Sequence, residues 1–189
     1  MSTVVVARWA RYLRLMVGTD HLTGLSQRRP FLERIEEELQ RSNSDRSTLS
    51  VALLDVDEFK KFNDTHGHLA GDQALQLLAL RLRRSVRASD LVARFGGEEF
   101  VIAFPRMDVE RAVKRVNELR EELAAVPLPI SGQVFHLTVS GGVGSWPADG
   151  TTFEAVLAEV DSRHYEAKRL GRNRVVGPRG HLRVAERGP

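Results

Sequence analysis

The chain contains no cysteine. Disulfides, zinc–thiolate centres and thiol nucleophiles are thereby excluded, and the composition suits a reducing compartment. No apolar run is long enough to cross a bilayer. The stretch at the start, residues 1–17, is interrupted by Arg8, Arg11 and Arg14, and no small-residue cleavage site follows it. The expectation is a cytoplasmic protein without a transmembrane segment. Aromatic residues make up only 6% of the chain, and the arginines are scattered instead of interleaved with them. That pattern argues against a nucleic-acid-binding surface. No internal repeat is visible.

What is present suits one globular domain with an extra helix or tail. The chain has 189 residues, 42% hydrophobic and 28% charged, enough to bury a core. A net charge of +3, mostly from arginine, leans slightly toward phosphate-bearing partners.

Residues 4–18 place Val5, Trp9, Tyr12 and Met16 on one helical stripe. Such a helix can pack on its own domain, pair two chains as a short coiled-coil stalk, or lie on a membrane. SQRRPFLERIEEELQRSN (26–43) reads as the next helix, with Ser26 as its cap and Pro30 in its first turn. TLSVALLDVD (48–57) is a nearly unbroken apolar strand, the mark of a central strand covered on both faces. Leu75, Leu78 and Leu82 keep helical spacing between Ala70 and Arg87. ARFGGEEFVIAF (93–104) is expected to be a hairpin whose Gly-Gly turn takes positive φ. A helix led by Asp108 follows, then a strand, straight or bent at its glycines, over QVFHLTVSGGVGSW (133–146). A helix over 151–170 stopped by Gly171 and a strand near Asn173–Val176 complete the pattern, before a frayed Gly-, Pro- and Arg-rich tail. Helices alternating with a mixed sheet that contains one hairpin make an α+β sandwich.

The chemistry gathers at strand ends. Asp55 closes the buried strand, and Asp57, two residues on, points to the same side if the strand persists. Magnesium takes one or two carboxylates plus phosphate and water oxygens. Asp55 and Glu98, from the strand and the hairpin tip, are the pair expected to supply them, since on extended backbone only one of Glu98 and Glu99 can face Asp55. Gly96 and Gly97 let a bulky ligand approach. Lys60, Lys61, Lys168 and Arg172 are cations near element ends, able to neutralise a triphosphate if they converge. Asn63 and Asp72 have the groups to read guanine, although Asp72 equally suits a helix cap. Arg87 and Asp90 could hold a guanine edge at a second site, although Arg87 also suits a helix C-terminus.

Four blocks in order complete the pattern: DHLTGLSQRR (20–29), DVDEFKKFNDTHGHLAGDQAL (55–75), RFGGEEF (94–100) and VDSRHYEAKRLGRNRV (160–175). Together they resemble the GGDEF family of diguanylate cyclases, in its Glu variant, over about Asp20 to Val176. The resemblance implies an N-terminal helix (1–19), a catalytic domain (20–177) and a flexible tail (178–189). It also implies a five-stranded, mixed, mainly antiparallel sheet wrapped by helices, as in nucleotidyl cyclases and polymerase palms. Gln27 stands where the family usually has Asn, Gly141 where it has an aliphatic residue, and Arg163 and His164 where it has small or apolar ones. Gly141 is expected to leave the SGGVG stretch looser, and the departures bear on local packing more than on catalysis, since none is an expected ligand.

The implied activity is condensation of two GTP into cyclic di-GMP. Asp55, the carbonyl of Val56 and Glu98 would hold two Mg2+ ions, or Mn2+, and Glu98 would be the general base. Lys60, Lys168 and Arg172 would bind phosphates, with Lys60 stabilising the transition state and the backbone near Phe59 assisting. Asn63, His68 and Asp72 would bind guanine and ribose. Arg87 and Asp90 match the family's inhibitory product site. Each domain binds one GTP, so the implied enzyme is a homodimer. A domain that senses cyclic di-GMP without making it is the competing reading, and a cyclase that accepts ATP is a further one.

Overall fold

The computed structural model describes residues 18–130 and 132–178. The helix expected over 4–18 and nearly all of the tail lie outside them. In chain order the elements are α1 (Arg28–Asp45), β1 (Leu49–Val56), α2 (Phe59–His66), α3 (His68–Ser85), β2 (Leu91–Arg94), β3 (Glu99–Pro105), α4 (Val109–Ala125), β4 (Leu128–Ile130), β5 (Gln133–Phe135), β6 (Val139–Trp146), α5 (Phe153–Arg169) and β7 (Val175–Val176). Five strands form one sheet in the order β2-β3-β1-β6-β7, and β4 and β5 form a separate small hairpin. All pairs in the main sheet are antiparallel except β6 with β7. The expected α+β architecture is therefore present.

Every residue of central strand β1 is buried, because both faces of the sheet are covered. Val51 and Leu53 pack with Phe31, Ile35 and Leu39 of α1 and Phe153, Val156 and Val160 of α5. Ala52, Leu54 and Val56 face the other way, onto Phe59 and Phe62 of α2, Leu75 and Leu78 of α3, and Val116 and Leu119 of α4. The alternation continues to the strand end, so Asp55 emerges on the α1/α5 side.

Three local expectations differ from the structure. Ser26 does not cap α1; the helix starts after Gln27, which makes no side-chain cap bond, and the Ser26 hydroxyl donates to the Gln27 carbonyl. The 133–146 stretch is two strands, β5 and β6, broken at His136–Thr138 and not at its glycines. The SGGVG stretch is tightly packed. A Cβ on Gly141 would lie 2.6 Å from Leu54 Cδ2, and one on Gly142 would lie 2.0 Å from the Val160 carbonyl oxygen. Sequence periodicity also misses α2, whose eight residues are too few to display a helical period.

Arg163, an unusual residue for its place, explains how α5 is held over those glycines. Its guanidinium donates to the Val143 carbonyl and to Asp149 Oδ2, both at 2.9 Å, and again to Asp149 Oδ1. The Arg163 hydrogen bond holds the Asp149 carboxyl below its ordinary value of 3.8, against the opposing effect of burial. A carboxyl with a depressed pKa stabilises the fold above its unfolded-state value, and that contribution is lost as pH falls through the folded value. Asp149→Asn is expected to cost about 2 kcal/mol at neutral pH, less than a fully dry pair because both ends keep some solvent. Urea unfolding of both proteins at pH 7 and pH 3 checks this: the gap between them should narrow at pH 3.

Candidate active site

The carboxylates meet where β1, the β2–β3 turn and α5 come together. In the β1–β3 ladder Asp55 stands directly opposite Glu99, and opposed residues of an antiparallel pair share a face. Glu98 sits one step earlier, in the turn, where its carbonyl accepts the Val56 N–H at 3.3 Å. Both glutamates nonetheless feel Asp55. Burial first, then the Asp55 charge, pushes each carboxyl above its ordinary value, with Lys168 opposing. The sequence-based choice between Glu98 and Glu99 assumed extended backbone; the turn at Glu98 removes that constraint. Lys168 reaches the same cluster, its ammonium 2.8 Å from Asp55 Oδ1.

The two glycines have separate tasks, and neither is the positive φ expected of them. A Cβ on Gly96 would stand 2.2 Å from Glu99 Oε2, so Gly96 makes room for the Glu99 carboxylate itself. A Cβ on Gly97 would meet nothing within 4 Å, leaving that side open to a ligand. Arg94 braces the turn from below. Its Nε and Nη2 donate to the Gly97 carbonyl at 3.1 and 2.6 Å, and its Nη1 to Asp20 at 3.0 Å. The arginine two residues before Gly96 was the available sequence signal for this role.

A second group of residues lies around α2 and α3. Glu58 precedes α2 in a left-handed conformation and no side chain caps the helix, which leaves first-turn N–H groups for an anion. The Phe59 side chain is buried, so only its backbone is available to a ligand. Lys60 is exposed on the first turn. Asp72 lies inside α3 and does not cap it, because Gly67 precedes the helix and His68 begins it. Asn63 Oδ1 is buried without a hydrogen-bond partner among the described residues. It lies where a Cβ on Gly71 would sit, 1.8 Å away. Gly71→Ala should therefore push the Asn63 amide aside. The expected result is a rise of about fivefold in KM for a nucleotide that Asn63 binds. Thermal stability should change little, since alanine suits a helix better than glycine.

Arg172 lies in the turn after α5, in the left-handed region with φ 63°. Asp57 does not join Asp55. It accepts from Thr138 Oγ1 and Ser140 Oγ, both at 2.6 Å, and from the Asn173 N–H at 3.0 Å. A groove of about 570 Å³ runs past it, lined by Lys61, His66, His136 and Arg172 among others but by none of Asp55, Glu98, Asn63 or Asp72. Arg87 lies beyond the end of α3, and its N–H donates to Asp90 Oδ2 at 2.8 Å, closing a tight turn that leads into β2.

Among the described residues no three acidic or histidine side chains are grouped closely enough to hold a metal by themselves. The donors still fit magnesium, which completes its octahedron with backbone carbonyl, phosphate and water oxygens. The carboxyl groups of Glu98 and Glu99, raised by burial first and by the Asp55 charge second, supply with Asp55 the negative field that such a cation needs.

Residues 17–174 match the family model for the diguanylate cyclase GGDEF domain. The chain belongs to the GGDEF family. This GGDEF domain is 41% identical over 157 residues to diguanylate cyclase DgcP of Pseudomonas aeruginosa, covering 83% of this chain and 23% of that protein. It is 39% identical over 161 residues to the response regulator PleD of Caulobacter vibrioides, covering 84% and 36%. The chain thus spans between about a quarter and about a third of these curated relatives. Among solved structures it resembles the GGDEF domain of DgcB from Caulobacter crescentus in complex with c-di-GMP. That match has a TM-score of 0.79 and 33% identity, covering 85% of this chain and 93% of that one. It also resembles the active GGEEF domain of a diguanylate cyclase from Vibrio cholerae, with a TM-score of 0.76 and 31% identity, covering 81% and 97%. Among the described residues no helix of the GGDEF domain is long and apolar enough to cross a membrane.

Proposed function

We propose that this chain is a diguanylate cyclase that condenses two GTP into cyclic di-GMP and two pyrophosphates. The observation that carries the reading is the convergence of Asp55, Glu98, Glu99 and Lys168 at the end of β1 in a GGDEF domain. Asp55, Glu98 and the Val56 carbonyl would hold two Mg2+ ions, and Mn2+ suits the same oxygen donors. When bound, the ions supply positive charge that offsets the phosphates and lowers the pKa of the attacking hydroxyl.

The chain's own groups do the rest. Lys60, Lys168, Arg172 and the uncapped start of α2 bind the phosphates, with Lys168 exchanging Asp55 for a phosphate oxygen. Asn63, His68 and Asp72 hold guanine and ribose. Glu98, its carboxyl raised by burial and Asp55, takes the proton of the 3′-hydroxyl as general base. The 3′-oxygen then bonds to the α-phosphorus of the other GTP while the bond to pyrophosphate breaks. One domain holds one GTP, so two copies must face each other in a homodimer. Arg87 and Asp90 would bind the product as an inhibitor. DgcB, whose GGDEF domain was solved in complex with c-di-GMP, makes dinucleotide binding a natural property to look for.

Incubation of the purified protein with GTP and Mg2+ over a wide protein concentration range tests the reading. Cyclic di-GMP should form with a rate per chain that rises with concentration. Tight binding of the dinucleotide without any turnover would replace it with a sensing module.

A further inference from the structure

Gly171, Arg172 and Asn173 have φ values of 111°, 63° and 47°, three successive residues in the left-handed region. Glycine accepts that region freely and asparagine tolerates it, but arginine does so only where the surroundings over-determine the backbone. Here they do. The Arg172 N–H donates to the Ala167 carbonyl at 3.1 Å, and Arg174 Nε donates to the Arg172 carbonyl at 3.1 Å.

The next residue is anchored twice. The Asn173 N–H donates to Asp57 Oδ2 at 3.0 Å, and Asn173 Oδ1 accepts from Arg120 Nη1 at 2.8 Å. Arg120 comes from α4 and is itself held by Asn117 and Glu121, at 2.8 Å each. Asp57 and Arg120 are each only 7% exposed. Burying two charged side chains is costly unless their bonding groups are used, and each gives one of its bonds to the same residue, Asn173.

We infer that Asp57, Asn173 and Arg120 form a positioning network that aims the Arg172 guanidinium at the phosphates of the bound nucleotide. None of the three touches substrate in this scheme; they act through the backbone of Arg172. A fixed Cα direction removes much of the freedom that a long exposed side chain would otherwise lose on binding. The inference rests on the phosphate-binding role proposed above for Arg172.

The test uses the full chain, calorimetric binding of a non-hydrolysable GTP analogue with Mg2+, and steady-state kinetics. Arg172→Ala sets the reference, and about tenfold weaker binding is expected from loss of a charged hydrogen-bonding group. Asn173→Gly keeps the left-handed backbone and the N–H bond to Asp57 but removes the side-chain bond to Arg120, and Arg120→Met removes the same bond while keeping the bulk. Each should weaken binding and raise KM about fivefold, with kcat within about twofold, and Arg120→Lys should recover part of the loss. In an Arg172→Ala background Asn173→Gly should cost nothing more. Unchanged binding for Asn173→Gly and Arg120→Met beside a weakened Arg172→Ala would overturn the network, as would losses that simply add. If Arg172→Ala itself binds normally, the phosphate role of Arg172 fails instead.

Discussion

Glu98→Gln is expected to lower cyclic di-GMP synthesis by at least about a thousandfold, the effect of removing a general base and metal ligand, the two roles proposed for Glu98. The amide is nearly isosteric, and the carboxyl it replaces is strained by its surroundings: burial and Asp55 both disfavour its charge. Folding should therefore be unharmed, and the melting temperature should hold or rise slightly. Calorimetric binding of Mg2+ with the GTP analogue should weaken in parallel with the rate. A variant that keeps more than a tenth of the activity would remove Glu98 from the chemistry. Attention would then pass to Glu99, the residue that stands opposite Asp55 in the ladder.

Gly142→Ala is expected to be the most damaging small substitution in the fold. The added methyl would fall 2.0 Å from the Val160 carbonyl and 2.5 Å from the His164 nitrogen. Both are backbone atoms in the middle of α5, so no side chain can turn away to relieve the clash. The helix must lift from β6, with loss of packing around Val156 and Val160 and of the Arg163–Asp149 pair. A cost above about 3 kcal/mol follows, beyond the usual range for an extra methyl group in a core. For a domain of this size that corresponds to a fall of about 10 °C in melting temperature, measurable by calorimetry or circular dichroism. The same displacement would carry Lys168 away from Asp55, so residual activity should fall further than residual folding does.

Much of the fold was legible because its signals are local. The unbroken apolar run of β1, the leucine spacing of α3 and the Asp108 cap of α4, whose carboxylate accepts the Arg111 N–H, each follow from neighbouring residues. Helix α2 was not legible, being too short for a period and held by the burial of Phe59 and Phe62 against the sheet. Family membership could be seen in the spacing of four sequence blocks, because a chain that keeps donors at fixed intervals keeps the elements that carry them.

By itself the sequence determined the α+β class, the central strand, the acidic hairpin tip and membership of the GGDEF family. Only the tertiary structure decided how the acids divide their work. Strand register puts Glu99, and not Glu98, opposite Asp55, and the turn lets Glu98 approach as well. It also turned Asp57 from a presumed companion of Asp55 into the anchor of the Arg172 turn. It gave Gly96 to the Glu99 carboxylate and Gly142 to helix α5. The Asp55–Glu99 register and the Asp57–Asn173 bond join residues 44 and 116 positions apart, and pairing at that range is set by packing of the whole domain and not by local sequence.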